Sequence, residues 1–204
     1  MPARRPHRAC GKELGRPLLT RPGRRFRTGR STPSPTPRPA RGYAIGGDAE
    51  TTLVQGLGAR WGLPVGSSSL AAVPALRAYG IDRVDLVHPP WFDDATSELG
   101  ATYFRAQGFD AVASRADTLP DDPAQVRPGP VADWVCRHVR DGAEAIFLGG
   151  NRFQAAGAVE EIERRTGRLV LEANQALLWS ILVETRRALD ITAYGRLLRA
   201  RPPG

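Results

Sequence analysis

Apolar residues along this chain fall into two rhythms. Short runs such as RVDLVH from Arg83, AIFLGGN from Ala145 and RLVLEAN from Arg168 are apolar almost throughout and stop at Pro, Gly or Asn. Strands buried on both faces of a parallel sheet look like this. FDAVASR, after Gly108, reads as a further strand, LPV from Leu63 as a short one, and YGRLL from Tyr194 as a short extended end. Between the strands, Asp48 to Trp61, Leu70 to Tyr79, Asp93 to Gln107, Val131 to Arg140, Ala155 to Arg165 and Gln175 to about Arg187 carry helical spacing, several of them closed by glycine. Strands alternating with helices across short connections predict βαβ units, hence an α/β fold with parallel sheets. In such folds ligands sit outside the carboxyl ends of the strands, so AIFLGGN, which opens into two glycines and an asparagine, is the expected centre of any site.

Residues 1 to 41 break the pattern. They hold 8 of the 18 prolines and 11 Arg and 1 Lys against the single acid Glu13, a net of +11, which leaves the rest of the chain at −3 within a total of +8. A segment with so little apolar surface does not offset its ordering entropy, and it reads as a disordered tail. It lacks the apolar core of a secretory signal, and its prolines forbid the amphipathic helix of a transit peptide. Either it is a solvated tail, or an artefact of GC-rich DNA read from a wrong start or frame, or an arm that binds nucleic acid through counterion release. No apolar run reaches a membrane span. The two cysteines, Cys10 and Cys136, have no disulfide or zinc company, which predicts a reduced, cytoplasmic setting.

Several residues carry candidate chemistry. Ser67, Ser68 and Ser69 lie between a strand end and a helix start, where hydroxyls and unpaired N–H groups either cap the helix or hold an anion, and one geometry does both. His88 ends its strand, as a general base near neutral pH or as a satisfied core histidine. Asp93 and Asp94 read as an N-cap and a first-turn acid rather than an acid–base pair. Cys136 and His138 lie two apart on a helix and do not share a face. Trp91, beside two prolines, either stacks on a flat substrate or packs the turn. Gly56, Gly58 and Gly62 imitate a dinucleotide fingerprint, but inside and at the end of a helix instead of after a strand.

Four stretches together, LPVGSSSLAAVPALRAYGIDRVDLV, PPWFDDATSEL, AIFLGGNRF and AVEEIERRTGRLVLEANQALLW, resemble the maleate isomerase and arylmalonate decarboxylase group of the aspartate/glutamate racemase superfamily, over roughly Gly42 to Leu198. The resemblance implies two Rossmann-like (flavodoxin-like) parallel-sheet lobes related by a pseudo-twofold axis, with the site in the cleft between them. In this chain it implies a tail over 1–41, a body over 42–204, a second lobe at about 83–170 and a first lobe that is incomplete. It also implies chemistry at the α-carbon of a small dicarboxylate, maleate- or malonate-like, by isomerisation, racemisation or decarboxylation, through cysteine thiols and with no metal or organic cofactor. Gly150 stands where the family has a cysteine, Trp91 where it has a tyrosine, and the other thiol is expected upstream of residue 42, where this chain carries its tail. The implied pocket takes Ser67, Ser68 and Ser69 from one turn, Gly149, Gly150 and Asn151 from the other, Trp91 against the substrate and Asn174 nearby, with His88 as the substitute base. A chain lacking a leading strand is expected to expose apolar surface. A non-catalytic carboxylate-binding protein and a nucleic-acid binder acting through the basic arm are the alternatives; a homo-oligomer is compatible with all three.

Overall fold

The computed structural model describes residues 41–187 and 191–199. The expected tail, and with it the nucleic-acid arm and Cys10, lies outside the described residues. In chain order the elements are α1 (Arg41–Ile45), α2 (Gly47–Trp61), α3 (Ser68–Ala78), β1 (Arg83–His88), α4 (Asp94–Ala106), β2 (Asp110–Ala116), α5 (Pro128–His138), β3 (Ala145–Leu148), a 3-10 turn (Ala156–Ala158), α6 (Val159–Thr166), β4 (Leu169–Glu172), α7 (Ala173–Glu184) and α8 (Arg196–Arg199). Among the described residues there is one sheet, with order β2-β1-β3-β4 and every pair parallel.

Strand alternation sorts the core into two layers. Val84, Leu86, Phe147, Leu169 and Leu171 face α3, α4, α7 and α8, with Phe104 and Trp179 filling the gap. Val87, Ile146, Leu148 and Val170 face the opposite way, onto Val131 and Val135 of α5 and Ile162 of α6. β3 and β4 are buried along their whole length, which is why their sequences show no alternation. β1 is buried after its first residue and still carries a charge. Asp85, fully buried, accepts both terminal nitrogens of Arg115 at 2.7 and 3.0 Å and the Arg140 amide at 2.9 Å, tying β1 to β2 and to the chain after α5.

Several sequence expectations need correction. LPV forms no strand, because residues 63–65 find no edge to pair with, and Leu63 is exposed. The end from Tyr194 is not extended; it turns into α8, which buries Leu197 and Leu198. Helix α5 begins earlier than Val131, at Pro128, since a proline costs nothing in the first turn. Ala156–Ala158 is a 3-10 turn leading into α6. Exposed apolar residues do occur: Ile45, Leu53, Trp61 and Leu63 all face solvent along α1, α2 and the segment that follows. Among the described residues no helix is long and apolar enough to cross a membrane.

Candidate functional site

The strand order determines where a ligand fits. From β1 the chain goes outward to β2 and returns across β1 to β3, so the connections leave β1 and β3 in opposite directions and open a crevice at their carboxyl ends. The two ends are His88-Pro89-Pro90 and Gly149-Gly150-Asn151. A cavity of about 470 Å³ lies here, walled by Ser67, Ser68 and Ser69 at the start of α3, by Gly150, Asn151 and Arg152 after β3, and by aromatic Tyr43, Trp91 and Phe92.

The serines divide their work. Ser67 is the N-cap of α3, its Oγ accepting the Leu70 amide at 3.2 Å. Ser68 donates to Asn151 Oδ1 at 2.9 Å, linking the helix start to the β3 turn across 83 residues of sequence. Ser69 donates to Glu50 Oε1 at 2.7 Å. The amides of Ser68 and Ser69, in the first turn, have no intrahelical acceptor, so the cavity meets the positive end of the α3 dipole. The capping half of the expectation is met by Ser67, and the first-turn amides are left free of intrahelical acceptors.

Glu50 was not foreseen. It sits on α2, 4% exposed, and lines the cavity. Tyr103 of α4 donates to its second oxygen at 2.8 Å. Gly42 leaves it room: a β-carbon there would collide with Glu50 Oε1 and the Ser69 hydroxyl. Tyr43 and Tyr103 lean together at 5.5 Å between ring centroids, and burial raises the pKa of both phenols, so both keep their protons. Arg152 was also missed; it is exposed, lines the cavity and makes no ion pair among the described residues.

His88 lies beneath this cavity instead of in its wall. Its ring is sandwiched between Gly100 and Gly149, where a β-carbon would come within 2.8 Å of Nε2 and 2.6 Å of Nδ1 respectively, and Phe92 stacks on it at 5.3 Å. Ser114 spends its proton on the Ser97 carbonyl at 2.5 Å, so at 3.1 Å from His88 it accepts from Nε2–H. The tautomer is thereby fixed, and Nδ1 is left as a buried lone pair with no partner. Burial first, and the Arg115 charge second, push its pKa down to about 3. A ring this weakly basic and this enclosed is a packing element, which corrects the expectation of a substitute base.

The β3 turn is shaped by its glycines. Gly149 has no side chain because His88 occupies the space. Gly150 has φ +91°, and a β-carbon there would meet Pro89 Cγ at 2.9 Å. A cysteine at this position needs a different backbone, which a residue-for-residue comparison of sequences does not reveal. Asn174 does not line the cavity. Its Nδ2 donates to the Asn151 carbonyl at 3.3 Å and to Glu172 Oε1 at 2.8 Å. Glu172 caps α7 through the amides of Asn174 and Gln175, and burial raises its pKa to about 6. Trp91 lines the cavity and meets Phe153 edge-on at 6.4 Å, so it both packs the turn and presents a ring. Asp93 is the N-cap of α4, accepting Thr96 N at 2.8 Å. Cys136 is half-buried on α5, against the opposite layer of the core, and no cysteine among the described residues lines the cavity.

Comparisons with known proteins bear on the family and the fold. The family model described as arylmalonate decarboxylase matches residues 42–198. A maleate isomerase of Pseudomonas putida is 30% identical over 131 residues, 63% of this chain and 50% of that protein, so the chain spans about half the length of this curated relative. The solved structure of an arylmalonate decarboxylase superposes with a TM-score of 0.67 at 23% identity, covering 75% of this chain and 68% of that one. A Nocardia farcinica maleate cis-trans isomerase, solved with a covalently bound succinylcysteine intermediate, gives a TM-score of 0.67 at 27% identity over 77% of this chain and 66% of that one.

Proposed function

Because this chain belongs to the arylmalonate decarboxylase family, we propose that its cavity binds a small maleate- or malonate-like dicarboxylate and that the protein acts at the α-carbon of that acid, as an isomerase, racemase or decarboxylase needing no cofactor. The observation that carries this reading is the meeting of two turns at the sheet's switch point, where the first-turn amides of α3 and the Ser68–Asn151 pair face one cavity with Arg152 on its rim. Fixed donors of this kind stabilise a carboxylate and, more strongly, the enediolate that forms when a bond at the α-carbon gives up its electrons to it. They are already oriented before the ligand arrives, so little reorganisation opposes the charge shift.

One observation favours a second reading, a carboxylate-binding protein without turnover. The N. farcinica isomerase carries its intermediate on a cysteine, whereas here the position after Gly149 is a glycine in the left-handed region. Two measurements separate the readings. Malonate or maleate at millimolar concentration raises the melting temperature if the cavity binds carboxylates, and no shift overturns both readings. Proton NMR of maleate, and CO2 release from phenylmalonate, then report turnover; binding with neither reaction selects the non-catalytic reading.

A further inference from the structure

We infer that the cavity holds a cation subsite at Glu50, so that the preferred ligand is a small acid bearing an ammonium group on the carbon next to its carboxylate. This subsite presupposes the carboxylate-binding cavity proposed above. Glu50 is held by two hydroxyls, one on each oxygen, from Ser69 and Tyr103. Both act as donors, so the group presents itself as a pure acceptor. It is 4% exposed, yet it forms no ion pair with any described residue. Among the other buried acids, Asp85 has an arginine on both oxygens and Glu163 lies 3.5 Å from Arg196 Nε, while Glu172 and Asp117 accept backbone amides; Glu50 has only the two hydroxyls. Leaving a carboxylate in a low-dielectric wall without a cation is costly, and a clamp between α2, α3 and α4 needs only two acceptor oxygens and no charge. The surplus is negative charge on the cavity wall.

The surroundings of that charge suit an ammonium group. Each carboxylate oxygen still has lone-pair capacity after accepting one hydroxyl. Tyr43, Trp91 and Phe92 give the cavity aromatic faces, which attract a desolvated cation. The elements proposed to hold the carboxylate line the same cavity: Ser68, bonded to Asn151 while its neighbour Ser69 is bonded to Glu50, and Arg152 next in the chain after Asn151. A ligand bridging the two ends therefore carries negative charge toward α3 and Arg152 and positive charge toward Glu50. A diacid with an uncharged substituent brings the same two carboxylates but leaves Glu50 without a counter-charge.

The test uses two diacids of equal size, aminomalonate and methylmalonate, which differ only in ammonium against methyl. Calorimetric titration of the full chain is expected to give aminomalonate about tenfold tighter, as befits one charge-assisted hydrogen bond in a sheltered site. In Glu50→Gln, which keeps the size and one acceptor oxygen, aminomalonate weakens and the ratio falls to within about twofold. In Arg152→Gln both diacids weaken alike and the ratio stays near ten. Methylmalonate binding as tightly as aminomalonate to the wild-type chain overturns the subsite and leaves the carboxylate cavity standing, and this reading needs no variant to fold. A ratio that collapses in Arg152→Gln and not in Glu50→Gln overturns it as well. Binding of neither diacid overturns the carboxylate cavity itself.

Discussion

Replacing His88 by Gln converts the site's buried histidine into a pH experiment. Glutamine retains an N–H for Ser114 and removes the titrating group. In the folded chain burial holds the imidazole at about 3, against about 6.5 in an unfolded chain. The unfolded state therefore takes up the proton first, so the stability that the neutral ring contributes is complete above about pH 6.5 and is lost as the pH falls from there toward 3. Each pH unit in that window costs up to about 1.4 kcal/mol, so between pH 6.5 and 4.5 the wild-type chain loses about 2.5 kcal/mol that His88→Gln does not. Asp117 and Glu172 run the other way. Burial raises both carboxyls to about 6, so their contribution is greatest below the unfolded value near 4 and is lost as pH rises through 6. They bend the profile of both proteins equally, and the difference between the two proteins isolates His88. Urea unfolding followed by tryptophan fluorescence at half-unit steps from pH 7.5 to 4.5 provides that difference. Parallel profiles would refute the buried, tautomer-locked ring.

Two further substitutions probe the frame around the cavity. Asp85→Ala strands the Arg115 guanidinium and the Arg140 amide inside the sheet layer, and denaturant unfolding is expected to show a loss of about 3 kcal/mol, whereas Asp85→Leu combined with Arg115→Leu loses less because no charge is left unpaired. Gly150→Ala places a β-carbon against Pro89 at a φ of +91°, so it should lower stability by about 1–2 kcal/mol and weaken malonate binding by distorting the turn that carries Asn151. A stable Gly150→Ala with unchanged binding would mean that the turn tolerates a side chain.

The parts of the fold legible in the sequence are those governed by local chemistry. The β1 and β3 runs are apolar because both faces are buried. Ser67 and Asp93 announce helix starts because a side-chain oxygen there satisfies an amide nearby in sequence. The LPV run fails as a strand for the complementary reason: strand formation is settled by a partner edge, which three residues do not encode. Glu50 is invisible at this level, since an acid on a weakly amphipathic helix looks like a solvated one until Ser69 and Tyr103, distant in sequence, close around it. Asp85 was detectable in principle, because a charge in the middle of RVDLVH demands a buried partner. The same holds for the switch point: the sequence named the Gly149–Asn151 turn as the centre, and only the strand order explains why.

The sandwich of His88 between Gly100 and Gly149 has a consequence for how this chain can drift. The imidazole fills the space between α4 and the end of β3, so positions 88, 100 and 149 form a single steric unit drawn from separate parts of the chain. A methyl group at either glycine is ruled out while the ring is present, and a smaller residue at 88 leaves a void that invites a side chain from one of the other two. A side chain at either glycine is therefore accepted only together with a smaller residue at 88, and the turn that carries Gly150 and Asn151 into the cavity is held by that coupling.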